Sequence, residues 1–307
     1  MRKMSLPGCE ALRSKRRGSV ADSAATQGGV GFHETYASKS LSDLPKTVRF
    51  WPWVTFQRLE SDWSLPEWPE CDEVALARNR VLLGTMEFSP LEFTSDELCW
   101  LALDIFKKVG LPAQMTEEQV VRFILAVRLH MHDNTYHNWH HVCDVLNTTF
   151  AFSVKTRLLE KLNPLEKFAL LCAALCHDID HPGATSSFVA NAGHLFESDF
   201  RNAILEKHHA LRTFEVMVNS DVGLLTGLST VEYYAFRATV STCIWGTDFG
   251  SHAAFLARLS AHLEACDCAS SAGEEAPAID RSLELVLLLK VYPKPCILTC
   301  ITTNPRP

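Results

Sequence analysis

The chain has 307 residues, a net charge of −7, 47% hydrophobic residues and 11 cysteines. This size and hydrophobic content allow one large domain or two small ones with a sizeable core. The negative charge argues against a basic nucleic-acid surface, so no nucleic-acid partner is expected. The odd cysteine count without framework spacing predicts buried, reduced thiols and a cytoplasmic location, with membrane association left open. No apolar run reaches about 18 residues, so no transmembrane segment is expected.

Residues 1–48 are rich in serine, glycine, alanine and basic residues. We predict that they are disordered, because they bury too little apolar surface to offset the entropy of ordering. Within them, Arg16 and Arg17 precede Ser19 in the pattern that basophilic kinases prefer. A kinase acting at Ser19 is therefore one expected partner, and a solvated basic tail is the alternative.

Residues 49–79 form an aromatic-rich segment before the domain, and we favour packing on the domain over a membrane-surface or partner contact. Residues 80–290 carry helical patterns without a strand pattern of consequence, so the fold class is all-α. Residues 291–307 are rich in proline, which cannot continue a helix.

Several helix boundaries follow from start and stop signals. A helix begins at Ser95 and stops before Gly110, and capping boxes at Thr116 and Ser229 open two more, the latter running to about Trp245. The remaining expectations are a helix from near His137 to Val154, a helix opened by Asn163-Pro164 and ended by Pro182-Gly183, a helix over 200–217, a loop over 266–280 and a helix over Ile279–Lys290.

Histidine and aspartate are concentrated on two segments. His137 and His141 are four residues apart, as are His177 and His181, so each pair would share one face of a helix. The helix before Asp178 is apolar all round, and an unpaired carboxylate there would cost several kcal/mol to bury. Imidazole and carboxylate ligands suit zinc, and a carboxylate can bridge to magnesium or manganese.

Two metals favour attack at phosphorus, because entering and leaving oxygens are both stabilised. A histidine that is not a ligand can protonate the leaving oxygen. The alternative for any single histidine is a hydrogen-bonded core residue. We assign that alternative, as surface residues or as partners of the ligands, to His130, His132, His140 and His194, and see no signal at His33 or His262.

These motifs carry a family resemblance. Tyr136-His137-Asn138-x-x-His141 followed by His177-Asp178-x-Asp180-His181-Pro182-Gly183 resembles the class I 3′,5′-cyclic nucleotide phosphodiesterases of the helical HD superfamily. The resemblance covers roughly residues 80–290. It extends through Asn191, Leu205-Glu206-Lys207-His208-His209 and Thr247-Asp248-Phe249-Gly250-Ser251-His252.

The resemblance implies a compact multi-helix bundle that hydrolyses a 3′,5′-cyclic nucleotide to the 5′-monophosphate in cyclic nucleotide signalling. It implies two divalent metals, namely zinc together with magnesium or manganese. His137 would be the general acid, and Tyr136 would line the substrate pocket. The implied zinc ligands are His141, His177 and Asp178, and the groups that hold the waters of the metals are His181, Glu206, Thr247 and Asp248.

The sequence departs from the family after Lys290. The family's further zinc-ligand aspartate would follow there in an Ala-Asp-x-Ser-Asn segment, and later helices would carry the glutamine and aromatic residue that hold the purine. None of these follows Lys290, so we expect a C-terminally truncated domain. The alternatives are a catalytically inactive homologue that binds partners and an HD-type hydrolase of other phosphate esters. A dimer and the choice between cyclic AMP and cyclic GMP are left open.

Overall fold

The computed structural model describes residues 3–4, 64–72, 74, 76–77, 80–186, 189 and 203–290. Within these ranges the all-α prediction is confirmed. The strands of the described part form one antiparallel pair, β1 (Lys3–Met4) with β2 (Cys71–Asp72). The helices are α1 (Ser95–Val109), α2 (Glu117–His130), α3 (Trp139–Lys155), α4 (Pro164–Cys176), α5 (Ile204–Val218), α6 (Thr230–Gly246), α7 (His252–Ala272) and α8 (Arg281–Lys290), with 3₁₀ turns at Pro90–Glu92, Leu158–Lys161 and Phe249–Ser251.

Several predictions fall outside the described residues. They concern the 1–48 tail apart from β1, including Ser19 and His33, the aromatic residues before residue 64, Asn191, His194 and the 291–307 tail. Among the described residues, no helix is long and apolar enough to cross a membrane.

Capping side chains explain where the helices begin. Thr116, Asn163 and Ser229 each accept a hydrogen bond from the third residue of their helix, whose own side chain bonds back to the cap. These three predicted starts are confirmed. Thr94 forms a fourth box in front of α1, and Gly110 ends that helix with a φ of 91°.

The core is built around α4. Every residue from Phe168 to Cys176 is fully buried, which confirms that this helix is central. It packs against α6, α3 and α1. The ring of Phe168 lies 5.1 Å from that of Phe106 and 6.4 Å from that of Phe236. Trp68, at the end of the aromatic segment, packs edge-on against Trp100 at 5.3 Å, as predicted for this residue.

Two boundaries at the histidine motifs differ from the predictions. α3 begins at Trp139 because Asn138 caps it by accepting a hydrogen bond from the His141 amide. α4 ends at Cys176, well before Pro182, and the chain then turns through Asp180, which has a φ of 58°. His137 and His181 therefore lie in loops, and the expectation that each histidine pair shares a helical face is wrong.

Smaller corrections concern the C-terminal part. α7 continues to Ala272, so the predicted loop is limited to residues 273–280. Small residues alone did not mark a loop, because alanine is also the strongest helix former. α8 begins at Arg281 rather than Ile279, and the described part of the helix predicted over 200–217 begins at Ile204.

Candidate metal centre

The candidate site lies where α3 begins and α4 ends. His141 is in the first turn of α3, and His177 and Asp178 directly follow α4. One side-chain atom of each residue converges on the same place. His141 Nε2 and His177 Nε2 each lie 3.1 Å from Asp178 Oδ2, and they lie 3.2 Å from each other. Three ligands of a tetrahedral zinc with bonds of about 2.0 Å would be roughly 3.3 Å apart. The triad therefore has the spacing of one metal's ligands.

The tautomer of His177 also fits a cation. Its Nδ1 lies 2.9 Å from the carbonyl oxygen of Ala174, which can only accept, so Nδ1 carries the proton. In the neutral ring, Nε2 then directs a lone pair at the Asp178 carboxylate. A proton or a metal ion must lie between these atoms for the contact to be favourable. The donor set thus fits a divalent metal held by His141, His177 and Asp178.

The electrostatics keep this carboxylate ionised. Burial favours the neutral form of Asp178, but the charge of His177 and the hydrogen bonds from His141 and His177 outweigh it and hold the pKa of Asp178 well below its usual range. Burial also opposes a charge on His177, yet the Asp178 carboxylate raises the pKa of His177. Burial lowers the pKa of His141.

His137 and His181 form a second group on the same carboxylate. Asp178, His137 and His181 offer ligand atoms that all lie within 4.8 Å of one another. His137 Nε2 is 3.9 Å from Asp178 Oδ2, and the His137 side chain is 37% exposed. Burial lowers the pKa of His137, and it lowers that of His181 to about 4. Asp178 thus belongs to both groups, as a bridging ligand would.

α5 contributes two buried polar atoms that lack a hydrogen-bond partner among the described residues and whose side chains interact electrostatically with Asp178. They are Glu206 Oε2 and His209 Nε2, both contributed by α5. His209 Nε2 lies 3.7 Å from Asp178 Oδ1. Burial raises the pKa of Glu206, and the charges of Asp248 and Asp178 add to this rise. Because buried polar groups are nearly always paired, these atoms indicate a place for ions or ordered water.

Thr247 and Asp248 directly follow α6, and the Asp248 carboxylate interacts electrostatically with Glu206. The Thr247 hydroxyl donates to the carbonyl of Ile244 at 2.7 Å, which leaves its oxygen free to accept. Asp248 Oδ1 accepts from the Gly250 amide, and Lys290 Nζ donates to the Asp248 carbonyl at 3.0 Å. Burial lowers the pKa of Lys290, against the charges of Asp248 and Glu206. The carboxylates of Glu206 and Asp248 thus share one electrostatic environment.

Tyr136 borders the site at its exposed side. Its ring lies 4.6 Å from that of His141 and 4.9 Å from that of His137, and the residue is 44% exposed. Tyr136 therefore forms part of the boundary between the site and solvent.

The other histidines bond elsewhere. His130 Nδ1 bonds to the carbonyl of Ala126 at 2.7 Å, and His140 Nε2 bonds to that of Phe93 at 3.2 Å. His262 Nε2 lies 3.5 Å from Cys266 Sγ on α7. His132 bonds to Asp180 at 2.7 Å. Among the described residues, these four contribute no ligand atom to the groups around Asp178.

The sequence did not assign roles to His208, His209 or Asp180. His208 and His209 stand in a quoted motif, but α5 faces the site only through tertiary packing that spacing does not reveal. Burial disfavours the charge on Asp180, yet hydrogen bonds from His132 and His208 and the charge of Arg212 hold its pKa below the usual range. The local signal was an aspartate in a turn, where aspartate tolerates positive φ.

The bundle and its histidine–aspartate centre define an all-α domain with the ligand set of a metal-dependent hydrolase. The model of the family described as 3′5′-cyclic nucleotide phosphodiesterase matches residues 136–292, just over half of the chain. The chain belongs to this family, and the resemblance read from the sequence is confirmed.

Relatives agree with this assignment. The chain is 33% identical over 181 residues to the 3′,5′-cyclic-nucleotide phosphodiesterase regA of Dictyostelium discoideum, a match that covers 58% of this chain and 23% of regA. It is 31% identical over 160 residues to the human high affinity cAMP-specific and IBMX-insensitive 3′,5′-cyclic phosphodiesterase 8A, covering 50% of this chain and 19% of that protein. The chain therefore spans less than a quarter of the length of these curated relatives.

Solved structures share the fold. The phosphodiesterase domain of the RhoPDE fusion protein from the choanoflagellate Salpingoeca rosetta superposes with a TM-score of 0.59 at 25% identity, covering 71% of this chain and 68% of that domain.

Proposed function

We propose that this chain is a metal-dependent phosphodiesterase that hydrolyses a 3′,5′-cyclic nucleotide to the 5′-monophosphate in cyclic nucleotide signalling. One observation carries the proposal. His141, His177 and Asp178 converge at 3.1–3.2 Å, and His137 stands 3.9 Å from the same carboxylate on the exposed side. Membership of the family supports the choice of substrate.

Zinc would be held by His141, His177 and Asp178, since two imidazoles and a carboxylate are its usual ligands. Magnesium or manganese would share the Asp178 carboxylate, and the waters around it would be held by His181, Glu206, Thr247 and Asp248. When bound, the two ions supply an activated water and neutralise charge on the phosphoryl oxygens.

His137 would act as the general acid. In the reaction, a water oxygen would bond to phosphorus as the bond between phosphorus and the 3′ oxygen breaks, and the His137 proton would go to the 3′ oxygen. The proton that the attacking water loses would pass to solvent, and His137 would take up a proton from solvent to complete the cycle. Burial lowers the pKa of His137, which makes its protonated form a stronger acid. The anionic phosphate of a bound nucleotide favours that protonated form, so substrate binding would load the acid. Tyr136 would form the pocket wall beside it.

A kinase at Ser19, a dimer and the expected C-terminal truncation stay predictions from the sequence. The choice between cyclic AMP and cyclic GMP is left to experiment, so both enter the test.

The test is hydrolysis of cyclic AMP and cyclic GMP by the purified full chain with zinc and magnesium. His137→Ala should abolish turnover but retain zinc, and Asp178→Ala should lose both. His140→Ala is the matched control, because its ring bonds to Phe93 outside the site. A folded, zinc-loaded wild type without turnover would contradict the proposal and favour the partner-binding alternative.

A further inference from the structure

One buried residue, Asp180, links the turn that carries His177 and Asp178 to α5 and to the segment that follows α2. Asp180 is 8% exposed at its side chain, and its backbone has a φ of 58°, in the left-handed region. Its Oδ1 bonds to His132 Nε2 at 2.7 Å. Its Oδ2 lies 3.1 Å from both His208 Nε2 and Arg212 Nε. One carboxylate thus joins the segment after α2 to α5.

The backbone of the turn also bonds to α2 and to α5. The Asp180 amide donates to the carbonyl of His130, the last residue of α2, at 3.2 Å. His209 Nδ1 bonds to the carbonyl of Ile179 at 2.7 Å from the α5 side. The turn over 177–181 is therefore attached to both α2 and α5.

Arg212 is fixed in turn by Glu215. Arg212 Nη1 lies 2.7 Å from Glu215 Oε2, and the Arg212 side chain is 4% exposed. A buried guanidinium between two carboxylates has little freedom to move, because leaving either would expose an unpaired buried charge. Arg212 is therefore a fixed anchor on α5 for the Asp180 carboxylate.

We propose that Asp180 is a positioning residue for the metal centre. It fixes the turn so that His177 and Asp178 face His141, which is held independently at the start of α3. This role rests on the proposed metal function. Partners that orient metal ligands in proteins typically change metal affinity 10- to 100-fold when removed.

Two substitutions separate the carboxylate from the backbone. Asp180→Gly accepts the left-handed conformation but removes both oxygens. Asp180→Asn keeps the shape and also tolerates positive φ, but it removes the charge. If Asp180 serves only the backbone conformation, both variants should bind metal like the wild type. If the carboxylate positions the turn, both should bind metal more weakly.

The measurement is zinc affinity of the full chain by chelator competition, together with the visible spectrum of the cobalt-substituted protein. We expect roughly tenfold or greater weakening in Asp180→Gly and Asp180→Asn and an altered cobalt spectrum. Asp104→Asn is the matched control, because it breaks the ion pair between Asp104 on α1 and Arg80, which precedes that helix. It should leave both readouts unchanged although it also removes a paired carboxylate.

If the Asp180 variants do not fold, His132→Ala tests whether the Asp180 carboxylate positions the turn. The His132 side chain is 42% exposed, so its loss should not prevent folding. It releases one side of the carboxylate, and we expect a several-fold loss of zinc affinity. Wild-type affinity in the folded variants would overturn the positioning role alone. A wild type that binds no zinc would overturn the proposed function, and the positioning role with it.

Discussion

The imidazole rings of His137 and His181 stack face to face, with centroids 3.9 Å apart and planes inclined by 14°. The His181 ring is in turn stacked against that of His209 at 5.4 Å. The three rings form a column from the exposed side of the site to the buried face of α5. His137, the proposed acid, is thereby oriented by a ring that itself belongs to the site.

Stacking and polar contacts of His181 can be separated by substitution. His181→Phe keeps a flat ring against His137, whereas His181→Ala removes it, and both lose the Nδ1 atom that accepts from the Gly183 amide. A stacked ring pair contributes about 0.5–1.5 kcal/mol, so we expect kcat of His181→Phe to exceed that of His181→Ala about two- to tenfold. Equal kcat values would show that the stack does not orient His137.

Zinc affinity should depend on pH through His177. A proton and a metal compete for its Nε2, and the Asp178 carboxylate raises the pKa of His177 above 6.5. Competition is absent well above this pKa and grows as the pH falls through it. We therefore expect the apparent zinc affinity to begin to fall while the pH is still above 6.5. Below the pKa of His177 it should fall by about tenfold per pH unit.

Chelator competition at pH 8, 7 and 6 measures this dependence. The titration of the chelator itself must be corrected for at each pH. A corrected affinity that is constant from pH 8 to pH 6 would contradict the raised pKa of His177.

The sequence predicted helix starts better than the local geometry of the site. Capping side chains act within one turn, so Thr116, Asn163 and Ser229 marked real starts. The spacing of His137 and His141 misled, because Asn138 between them is itself a cap and places His137 before the helix.

The groups around Asp178 depend on tertiary packing. α5 brings His209 to within 3.7 Å of the Asp178 carboxylate although about thirty positions separate them in the chain. No periodicity reports such a contact, and the family motif named His209 without giving it a role. The positive φ of Asp180 similarly follows from the turn after α4, a stretch that was predicted to be helical up to Pro182-Gly183.

The aromatic core provides a test of the fold. Phe106 is fully buried, and its ring lies 5.1 Å from that of Phe168 and 6.3 Å from that of Phe123. Phe106→Ala should lower the free energy of unfolding by about 3–5 kcal/mol, because it leaves a cavity between these rings. Leu91 is 81% exposed, so Leu91→Ala should change the free energy of unfolding by less than about 0.5 kcal/mol. Denaturant unfolding measures both, and similar losses would contradict the packing around α4.

Cysteine reactivity should separate buried from exposed thiols. Cys99, Cys143, Cys172, Cys176 and Cys243 are buried and free, as the sequence predicted for Cys172 and Cys176, and burial raises their pKa values. Cys268 is exposed. Since the thiolate is the reactive form, iodoacetamide should modify Cys268 before these five, which should react only after unfolding. Peptide mass spectrometry after timed labelling measures the order, and early labelling of Cys172 or Cys176 in folded protein would contradict it.

The central claim is that His141, His177 and Asp178 bind one metal, and the neighbouring histidines of α3 test it most directly. His140 and His141 are adjacent, but only His141 Nε2 lies 3.1 Å from Asp178 Oδ2. The measurement is the zinc stoichiometry and affinity of the metal-stripped full chain for the wild type, His140→Ala and His141→Ala. We predict one tightly bound zinc per chain in the wild type and in His140→Ala, and its loss in His141→Ala. Equal zinc binding by His141→Ala and the wild type would contradict the account.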